Sequence, residues 1–569
     1  MQRLIVLKFG GSVLRDEDSL RLAVHEIYRW WRAGHGVVAV VSALAGRTDE
    51  CLRVAQAVCA APAPESVAAF VATGELAAAA LLGLQLDRAG VPACVLTPAA
   101  VHLLAVGHPL DASPTALDET PIRRALARGE VVVMPGFVAQ DEAGRTVVLG
   151  RGGSDLSALF LAQRLGAARC RLVKDVDGLY ERDPARAGPR PARYACASYA
   201  AALACDGTIV QKKALLFARE HRIELELGRL NGTQPTRIGA GPDVLAHASE
   251  EPRRLRVALL GCGTVGGGVL ERLQGLPQHF ELVALALRDP WKERGFVIPR
   301  ALLAPDAVAA ARAGADVVVE LLGGLDPARS ACAAALEHGA AVVTANKRLL
   351  ARHGAALQAS ARALGRALLA SAAVGGSMPL LERLALCPPG NVRAVRGVLN
   401  ATTNFVLGRH AEGCTLTDAL DEARALGLAE ADATRDLSGQ DAADKLRVQA
   451  GVLGASAPDR VLREPVTEAR LQAFSGHACV RQVATLEVHP ESTRAAVRLA
   501  ELDPADPLAR VSGVHNAAVI EHADGAHTLL RGKGAGRWPT SEAVMADLLS
   551  LGRRAAARAG REPLARQVG

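Results

Sequence analysis

The sequence predicts an α/β protein with more than one domain, and three observations support that prediction. Through the first 240 residues, apolar strand-like runs alternate with Ala- and Leu-rich helical stretches. A second alternation of the same kind begins at Arg256. The segment between them, GAGPDVLAHASEEPRR, is rich in Gly, Pro and charge, as linkers are. A chain of 569 residues has length for several cores, and we expect three domains.

The order of the predicted elements sets the expected domain limits. In the first half the strand-like runs lie at residues 4–8, 37–41, 131–134 and 171–173. In the second half we predict strands at 257–260, 282–287 and 392–399, helices within 416–454, and a strand-rich stretch at 480–520. We therefore place an α/β domain at residues 1–240, a linker at 241–253, a second α/β domain at 254–385 and an α+β domain at 386–569.

Composition limits the kind of partner. A net charge of +7 is small for this length, and aromatic residues are only 3% of the chain, which argues against a nucleic-acid surface. The 11 Cys show no CxxC or Cys/His ligand spacing, so we expect reduced thiols. We find no uninterrupted apolar run long enough to span a bilayer, and the apolar part of MQRLIVLKFGG is too short for a signal peptide. We expect a cytoplasmic protein with small-molecule partners.

A glycine pattern at the start of the second alternation carries most of the functional information. The apolar strand at 257–260 runs into Gly261, Gly263 and Gly266, and a helical stretch opening with Thr264 and Val265 follows. Gly261 permits a tight turn, Gly263 lets backbone approach a pyrophosphate, and Gly266 lets the helix pack close to the strand. The helix N-terminus then receives the anion. An ordinary glycine-rich turn is the alternative, but the strand before and the helix after favour a Rossmann-type dinucleotide site.

The end of the next strand bears on the choice of cofactor. An NAD site usually places Asp or Glu there, against the ribose 2′-hydroxyl, whereas this chain has Arg288 with Lys292 close behind. Cations favour a 2′-phosphate, and hence NADPH. Asp289 beside Arg288 leaves NADH as an alternative.

Five further segments follow in order, and together they resemble the homoserine dehydrogenase family over residues 255–549. They read DVVVELLGGLDPA from Asp316, AAVVTANKRLLA from Ala340, SAAVGGSMPLLE from Ser371, GVLNATTNFVL from Gly397 and GLAEADATRDLSGQDAADKL from Gly427. The resemblance implies reduction of aspartate-4-semialdehyde to homoserine with a nicotinamide cofactor. It also implies that the last domain binds substrate and forms the dimer contact.

The chemistry of that reaction points to particular side chains. Hydride transfer to an aldehyde builds negative charge on oxygen, so the site needs a proton donor or a fixed positive charge. Lys445 is the candidate donor, and the spacing from Asp441 places both on one helical face, although a plain surface ion pair has the same spacing. By resemblance, Lys347 lies at the nicotinamide and the substrate. Glu430, Asp436 and Asp441 then surround the substrate's amino group and hydroxyl end.

Two further features come from the resemblance. The segment RGKGAGRWPT is similar to the family's glycine-rich return, which brings Gly536 towards the cofactor and a helix at 541–551 onto the nucleotide domain. Backbone carbonyls near Val374 and Gly376 belong to a monovalent cation site in the family. Ser371 stands where the family commonly has Glu. The resemblance therefore leaves a monovalent cation near Val374 and Gly376 as one alternative and no bound metal as the other.

The first half carries a second ordered set of motifs, which resembles the catalytic domain of the aspartate kinases, in the amino acid kinase superfamily, over residues 1–238. The segments are KFGGSV from Lys8, VVSALAGRTDE from Val40, LGRGGSDLSA from Leu149 and VKDVDGLYERDP from Val173. The resemblance implies phosphorylation of aspartate by ATP with Mg²⁺. Phosphoryl transfer of this kind requires crowded anions to be neutralised, and glycine-rich strand ends with a Lys do so.

The resemblance assigns roles to the residues of these motifs. For ATP, the resemblance implies that Lys8, Gly10 and Gly11 bind the phosphates. It places Asp175, Asp177 and Tyr180 in the nucleotide region. For aspartate, the positions are Thr48, Glu75, Arg151, Ser154 and Asp155, and Arg151 is able to grip a carboxylate bidentately.

Several positions depart from the kinase pattern. Lys174 replaces a frequent Thr, and the family's ATP-contacting Lys aligns with Thr208, with Lys212 or Lys213 as alternative sources of charge. The short linker leaves no room between the two halves for the small regulatory domains that usually follow an aspartate kinase. We expect a fused kinase and dehydrogenase that forms a homo-oligomer, a dimer or a tetramer. The alternative is a dehydrogenase whose degenerate kinase fold serves binding or assembly.

Overall fold

The computed structural model describes residues 3–186, 191–205, 209–246, 253–429, 432–458, 460–474, 479–489 and 491–559. It comprises two compact units, one of residues 1–88 and 92–251 and the other of residues 252–556 with 89–91. Each unit mixes helices with sheets that contain parallel strands, which confirms the predicted α/β class.

The first unit alternates strands and helices along its length. Its strands are β1 (Leu4–Phe9), β2 (Gly36–Val41), β3 (Ala93–Val95), β4 (Leu104–His108), β5 (Asp111–Ala116), β6 (Val131–Pro135), β7 (Val138–Gln140), β8 (Thr146–Val148), β9 (Arg169–Lys174), β10 (Tyr194–Ser198), β11 (Leu225–Arg229), β12 (Thr236–Gly239) and β13 (Val244–Leu245). Its helices are α1 (Glu17–Arg32), α2 (Arg47–Val58), α3 (Pro64–Arg88), α4 (Thr120–Ala127), α5 (Gly153–Leu165), α6 (Tyr199–Ala204) and α7 (Lys212–Glu220).

Parallel strands at the centre of this unit bring its motifs to one edge. Strands β13, β10, β12, β11, β9, β1, β2, β6 and β3 form a sheet in that order, and β9, β1, β2 and β6 run parallel to one another. β2 and β6 are buried along their whole length, as expected for parallel strands covered on both faces. Because the carboxyl ends of parallel strands meet at one edge, the turns after β1 and β9 lie side by side.

Helix α3 qualifies the expectation about membrane spans. Among the described residues it is the one helix long and apolar enough to cross a bilayer, by length and composition only. Half of its most apolar window is buried, and it packs against β6, β8 and α1. A core helix of a water-soluble domain passes the same test, so α3 is weak evidence for a membrane.

The second unit contains two sheets. Its strands are β14 (Leu255–Leu260), β15 (Phe280–Ala286), β16 (Val317–Glu320), β17 (Ala341–Thr344), β18 (Leu368–Leu369), β19 (Val392–Val398), β20 (Val461–Arg463), β21 (Val480–Val488), β22 (Thr493–Glu501), β23 (His515–His522) and β24 (His527–Lys533). Its helices are α8 (Thr264–Gln274), α9 (Ala307–Ala311), α10 (Ala328–Glu337), α11 (Lys347–Ala363), α12 (Leu380–Ala385), α13 (Ala401–Ala411), α14 (Leu416–Ala425), α15 (Thr434–Leu437), α16 (Gln440–Val452), α17 (Glu468–Leu471) and α18 (Arg537–Ala559).

The two sheets differ in strand direction. The first is parallel in the order β15, β14, β16, β17, β18. The strand order reverses at β14, and folds of this kind bind ligands at such a topological switch point. The second is largely antiparallel in the order β20, β22, β21, β19, β23, β24. Helix α16 packs on β21 and β22 and also on α11, which connects β17 to β18 of the first sheet. This packing joins the two sheets at one place.

Candidate active sites

Three charged side chains of the second unit meet in one ion-pair cluster. Lys347 is the first residue of α11, and Asp441 and Lys445 lie one turn apart on α16. Lys347 Nζ lies 2.6 Å from Asp441 Oδ1, and Lys445 Nζ lies 2.8 Å from Asp441 Oδ2. Each oxygen of one carboxylate is thus held by a different ammonium group. The side chains of Asp441 and Lys445 are each 7% exposed, so they do not form the surface ion pair that the spacing alone would allow.

The cluster acts differently on the protonation of its members. Burial lowers the pKa of Lys445, although the charge of Asp441 acts in the opposite direction. The charge of Asp441 raises the pKa of Lys347. Burial would raise the pKa of Asp441, but the two ammonium groups together hold it well below its usual range. The cluster therefore contains a firm carboxylate, a firm cation at Lys347, and a Lys445 proton that leaves more easily than that of a solvated lysine.

Asn400 ties the cluster to a second carboxylate. Its Nδ2 donates to Asp436 Oδ1 at 2.6 Å and to Asp441 Oδ2 at 2.9 Å. Its Oδ1 accepts from the Thr403 amide at 2.8 Å and so caps α13, which fixes the amide orientation. Burial raises the pKa of Asp436. Two predicted substrate positions, Asp436 and Asp441, are thus joined through one side chain.

A backbone carbonyl completes the surroundings of Lys445. The carbonyl of Leu399 accepts from Lys445 Nζ at 2.5 Å and from Asn516 Nδ2 at 3.1 Å. The Oδ1 of Asn516 is buried and has no hydrogen-bond partner within the described part of the chain. A Cβ on Gly534 would collide with the Asn516 side chain, which explains one glycine of the return segment. Glu430, a predicted substrate ligand, lies outside the described residues.

The start of α11 is held rigidly, and this positions Lys347. Asn346 accepts from the Leu349 amide at 3.1 Å and caps the helix. Glu320, fully buried at the end of β16, accepts from Thr344 Oγ1 at 2.6 Å. The Thr344 hydroxyl also accepts from the Asn346 amide at 3.0 Å. A buried hydrogen-bond chain therefore runs from one strand end to the helix that carries Lys347.

The glycine turn after β14 has the geometry of a nucleotide-binding turn. Gly261 has φ +92°, and a Cβ there would lie 2.6 Å from the carbonyl oxygen of Leu321, so only glycine fits. A Cβ on Gly266 would collide with the carbonyl oxygen of Gly261. At Gly263, by contrast, a Cβ would meet no atom within 4 Å. The protein itself leaves that side open, and no internal contact requires glycine there.

The first turn of α8 is available to an anion. Thr264 and Val265 open the helix, and Gly263 at its N-cap supplies no side-chain acceptor for the first amides. Ser541 Oγ of α18 donates to the carbonyl of Val265 at 3.1 Å, so the last helix packs on this turn. Gly536, with φ +124°, directly precedes α18 and lets the chain enter that helix. The observed helix runs well beyond the expected 541–551.

The loop after β15 is folded back onto the glycine turn. Arg294 donates from Nε to the carbonyl of Cys262 at 3.3 Å and from NH2 to the carbonyl of Asp289 at 2.7 Å. Asp289 Oδ1 accepts from the amide of Lys292 at 3.1 Å. The Asp289 carboxylate is therefore used to accept hydrogen bonds from the backbone of its own loop. Arg288 is exposed and makes no hydrogen bond or ion pair with the described residues, which leaves its guanidinium available.

In the region where the resemblance implied a cation, Ser371 is hydrogen-bonded to Asp547. Ser371 donates from Oγ to Asp547 Oδ1 at 2.7 Å and from its amide to Asp547 Oδ2 at 3.1 Å. Val374 is fully buried, and Gly376 has φ +63°. Within the described ranges, no group of three or more His, Cys, Asp or Glu side chains is arranged to hold a metal ion.

The first unit has its own lysine and carboxylate cluster. Lys8 Nζ lies 2.7 Å from Asp155 Oδ1, and Lys174 Nζ lies 2.9 Å from Asp155 Oδ2. Burial lowers the pKa of Lys8 to about 8, with Asp155 acting against it. Burial would raise the pKa of Asp155, but the two ammonium groups lower it overall. Asp155 lies in the first turn of α5, where the helix dipole also favours a carboxylate.

Glu75 is a buried acid close to this cluster. It is 3% exposed, on α3, and its Oε2 has no hydrogen-bond partner within the described residues. Burial raises its pKa to about 7, although the backbone at Ala43 and the charge of Lys8 act against that shift. Ser154, also buried, precedes Asp155.

The remaining predicted kinase residues differ in exposure. Arg151 is exposed and has no hydrogen-bond or ion-pair partner among the described residues, and Thr48 is half-buried on α2. Tyr180 is buried, and its hydroxyl donates to Asp177 Oδ1 at 2.9 Å. Asp175 is exposed next to β9. The structure therefore brings Lys8 and Asp155 into contact but shows no direct contact from Arg151 or Asp175 to either.

Sequence reasoning missed several residues of both sites. Asn400, Asn516 and Glu320 were not singled out, and Lys174 was noted only as a departure from a family pattern. Asn400 lies within the segment GVLNATTN, and a polar side chain directly after a buried strand is a signal that could have been used.

The second unit has the features of a nicotinamide-nucleotide-dependent dehydrogenase, and the first those of an amino acid kinase. Three family models match: "Amino acid kinase family" over residues 3–227, "Homoserine dehydrogenase, NAD binding domain" over 261–370, and "Homoserine dehydrogenase" over 379–549. Homoserine dehydrogenase of Synechocystis sp. is 34% identical over 320 residues, which are 52% of this chain and 73% of that protein. The chain belongs to the homoserine dehydrogenase family, with an amino acid kinase domain fused before it.

Two further comparisons describe the separate halves. An aspartokinase of Pseudomonas aeruginosa is 34% identical over 227 residues, 39% of this chain, and the chain spans 55% of that relative's length. A crystal structure of a homoserine dehydrogenase from Thiobacillus denitrificans is 31% identical, covering 55% of this chain and 76% of its own, with a TM-score of 0.48.

Proposed function

We propose that the second unit reduces aspartate-4-semialdehyde to homoserine with NADPH. The observation that carries the proposal is the buried cluster in which Lys347 and Lys445 hold opposite oxygens of Asp441. Relatives at 34% and 35% identity are named homoserine dehydrogenase, and aldehyde reduction of this kind needs positive charge and a proton at the carbonyl oxygen.

Each residue of the cluster has a separate role in the proposed reaction. The cofactor, when bound, supplies a hydride to the carbonyl carbon. Lys445 then gives its proton to the oxygen that becomes the hydroxyl, and burial favours that release because it lowers the pKa of Lys445. Lys347 keeps its charge and stabilises the developing negative oxygen. Asp441 fixes both ammonium groups, and Asn400 holds Asp441 in place. Asp436 offers a carboxylate for the substrate's amino group.

The residues around the glycine turn fit a dinucleotide. The open side at Gly263 and the uncapped start of α8 suit a pyrophosphate. The free guanidinium of Arg288 supports a preference for the 2′-phosphate of NADPH over NADH, because Asp289 is used by the loop itself.

We further propose that the first unit phosphorylates aspartate with ATP and Mg²⁺. The contact between Lys8 and Asp155 at the end of parallel strands supports it, together with the match to an aspartokinase over 227 residues. Gly10 and Gly11 form the turn that would hold phosphates, and Glu75, Ser154 and Arg151 are the proposed aspartate side of the site.

A paired assay of the full chain tests both proposals. NADPH oxidation that depends on aspartate semialdehyde, and ADP release that depends on aspartate, are the expected results. A chain that oxidises NADPH but releases no ADP would support the alternative of a degenerate kinase fold that serves binding or assembly. Failure of NADPH oxidation would overturn the dehydrogenase proposal.

A further inference from the structure

Lys174 occupies a position from which it can reach the phosphate turn of the first unit. It is the last residue of β9, which pairs in parallel with β1 so that Val173 lies opposite Phe9. Lys174 therefore stands beside the start of the glycine turn. A Cβ on Gly10 would lie 3.2 Å from Lys8 Nζ and 3.9 Å from Lys174 Cδ, so both lysines line this turn.

The charges at this place do not balance. Lys8, Lys174 and Asp155 have side chains only 6%, 12% and 3% exposed, and two cations share one anion. Glu75 does not supply a second firm anion, since burial raises its pKa to about 7. Unpaired charge is costly away from water, so a buried excess of positive charge fits a site that takes up an anion.

Backbone N–H groups at the glycine turn also support an anion site. Among the described residues, the amides of Gly11 and Ser12 donate to no backbone or side-chain acceptor. Successive free amides at a glycine turn form a concave anion site. Two ammonium groups and two amides without acceptors thus lie at one turn at the carboxyl edge of the sheet, where open α/β sheets bind ligands.

Of the two other lysines considered for this role, Lys212 is exposed and Lys213 is already engaged. Lys213 Nζ donates to Asp111 Oδ1 at 2.7 Å, to the carbonyl of Ala112 at 2.9 Å and to the carbonyl of Leu149 at 3.1 Å. Its three protons are therefore used within the protein. Thr208, which aligns with the family's lysine, lies outside the described residues.

We propose that Lys174 is a second phosphate-binding cation of the kinase site, which contacts the phosphoryl group that passes from the nucleotide to aspartate. The proposal rests on the kinase function proposed above. In the transfer, a carboxylate oxygen of aspartate forms a bond to the terminal phosphorus, and the bond from that phosphorus to the bridging oxygen breaks. ADP leaves with the electron pair, and no oxidant, reductant or added proton is required. Lys174 and Lys8 neutralise the phosphoryl oxygens while the bonds change.

Titration calorimetry of the full chain tests this role without turnover. The ligands are the magnesium complex of a non-hydrolysable ATP analogue and, separately, adenosine. Lys174→Thr should weaken binding of the analogue by about tenfold or more, since a charge-assisted contact is lost, and should leave adenosine binding unchanged. Lys174→Arg should restore most of the affinity. Arg123→Thr, which removes an exposed cation paired with Glu119 in the same unit, is the matched control.

The kinetics separate this inference from the kinase function itself. If the unaltered chain phosphorylates aspartate and Lys174→Thr binds the analogue equally well, the inference is wrong and the function stands. A change confined to the KM for aspartate would mean that Lys174 only orients Asp155, and would also overturn the inference. If the unaltered chain binds the analogue in a Lys174-dependent way without ADP release, the kinase function fails; the contact of Lys174 with the nucleotide phosphates is then supported, and its part in the transfer is overturned. Absence of analogue binding overturns both.

Discussion

Lys445 and Lys347 hold the same carboxylate but differ in what they can do. Lys445 is buried, receives the carbonyl of Leu399 as a second acceptor, and has a lowered pKa. Lys347 is 36% exposed and has a raised pKa. Proton release and permanent charge are thus assigned to separate side chains by their environments, which is a common way for a protein to separate an acid from an electrostatic stabiliser.

Lys445→Ala should therefore lose most of the turnover with aspartate semialdehyde while cofactor binding survives. Removal of a positioned acid typically costs about 10²–10⁴-fold in kcat. Steady-state kinetics and NADPH fluorescence titration measure the two quantities. Arg447→Ala, which removes another cation of α16, should retain kcat within a few-fold. Near-normal kcat in Lys445→Ala would exclude the role of proton donor.

Arg288→Ala should discriminate between the two nicotinamide cofactors. The guanidinium has no partner in the described residues, so its removal disturbs no internal contact, whereas a 2′-phosphate would lose a charge-assisted bond. We expect the KM for NADPH to rise about tenfold and that for NADH to change little. Equal effects on both cofactors would contradict the assignment of Arg288.

Glu75 gives the first unit a pH-dependent stability. Its pKa is about 7 in the folded protein against an ordinary value of 4.5, so the folded state binds more protons between these values and loses stability as pH rises through them. Glu75→Gln should remove this loss, and the first unit should gain about 3 kcal/mol relative to the unaltered protein at pH 8 but little at pH 4.5. Thermal unfolding at both values measures the difference. A gain of equal size at both would show that Glu75 is charged in the folded state.

The turn between β14 and α8 shows how one element can serve folding and binding with different glycines. Gly261 is required by a positive φ and by the carbonyl of Leu321. Gly263 meets no such constraint. The same sequence pattern therefore contains one glycine that the fold requires and one that the fold does not require, for which we propose a role in binding the cofactor.

Alanine substitutions at these two glycines should separate the roles. Gly263→Ala should fold with an unchanged Tm and raise the KM for NADPH by about tenfold, because the new methyl group occupies the approach of the pyrophosphate. Gly261→Ala should lower the Tm of the second unit, since strain and a close contact are added. A lower Tm in Gly263→Ala, with normal KM, would mean that glycine is needed there for folding alone.

The sequence predicted the long buried elements well and the short ones poorly. β1, β2 and β6 lie within a residue or two of their predicted bounds, because unbroken apolar runs mark strands buried on both faces. β5 reads DASPTA, which has neither alternation nor an apolar run, and it was not predicted. The helical stretch at 416–454 is divided into α14, α15 and α16, with left-handed glycines at Gly427 and Gly439.

The candidate sites were predictable only in part. The pair of Asp441 and Lys445 follows from spacing along one helix. The contact of Lys347 with Asp441 depends on the packing of α11 against α16, which no local pattern specifies. The family resemblance implied only that both residues lie at the substrate site. Asn400 was missed because its role needs both Asp436 and Asp441 in place.

At the scale of the whole molecule, each unit has its own hydrophobic core. One buried cluster gathers residues of β1, β2, β6 and α5, and others gather residues of the two sheets of the second unit. Each proposed activity uses side chains of one unit alone. Asp155→Asn should therefore abolish ADP release and leave NADPH oxidation within twofold, and Lys445→Ala should do the reverse. Loss of both activities in either variant would show that the chemistry of the two units is coupled.

Helix α3 has a consequence for the synthesis of the chain. Two of the strands it packs against, β6 and β8, lie after it in the sequence, and β9, which pairs with β1, lies later still. Ribosomes add about 5–20 residues per second, so this apolar segment waits several seconds for those partners to emerge. During that interval the apolar surface of α3 is exposed to its surroundings. Burial of α3 therefore depends on segments that are synthesised after it, because β6 and β8 supply part of the surface on which it packs.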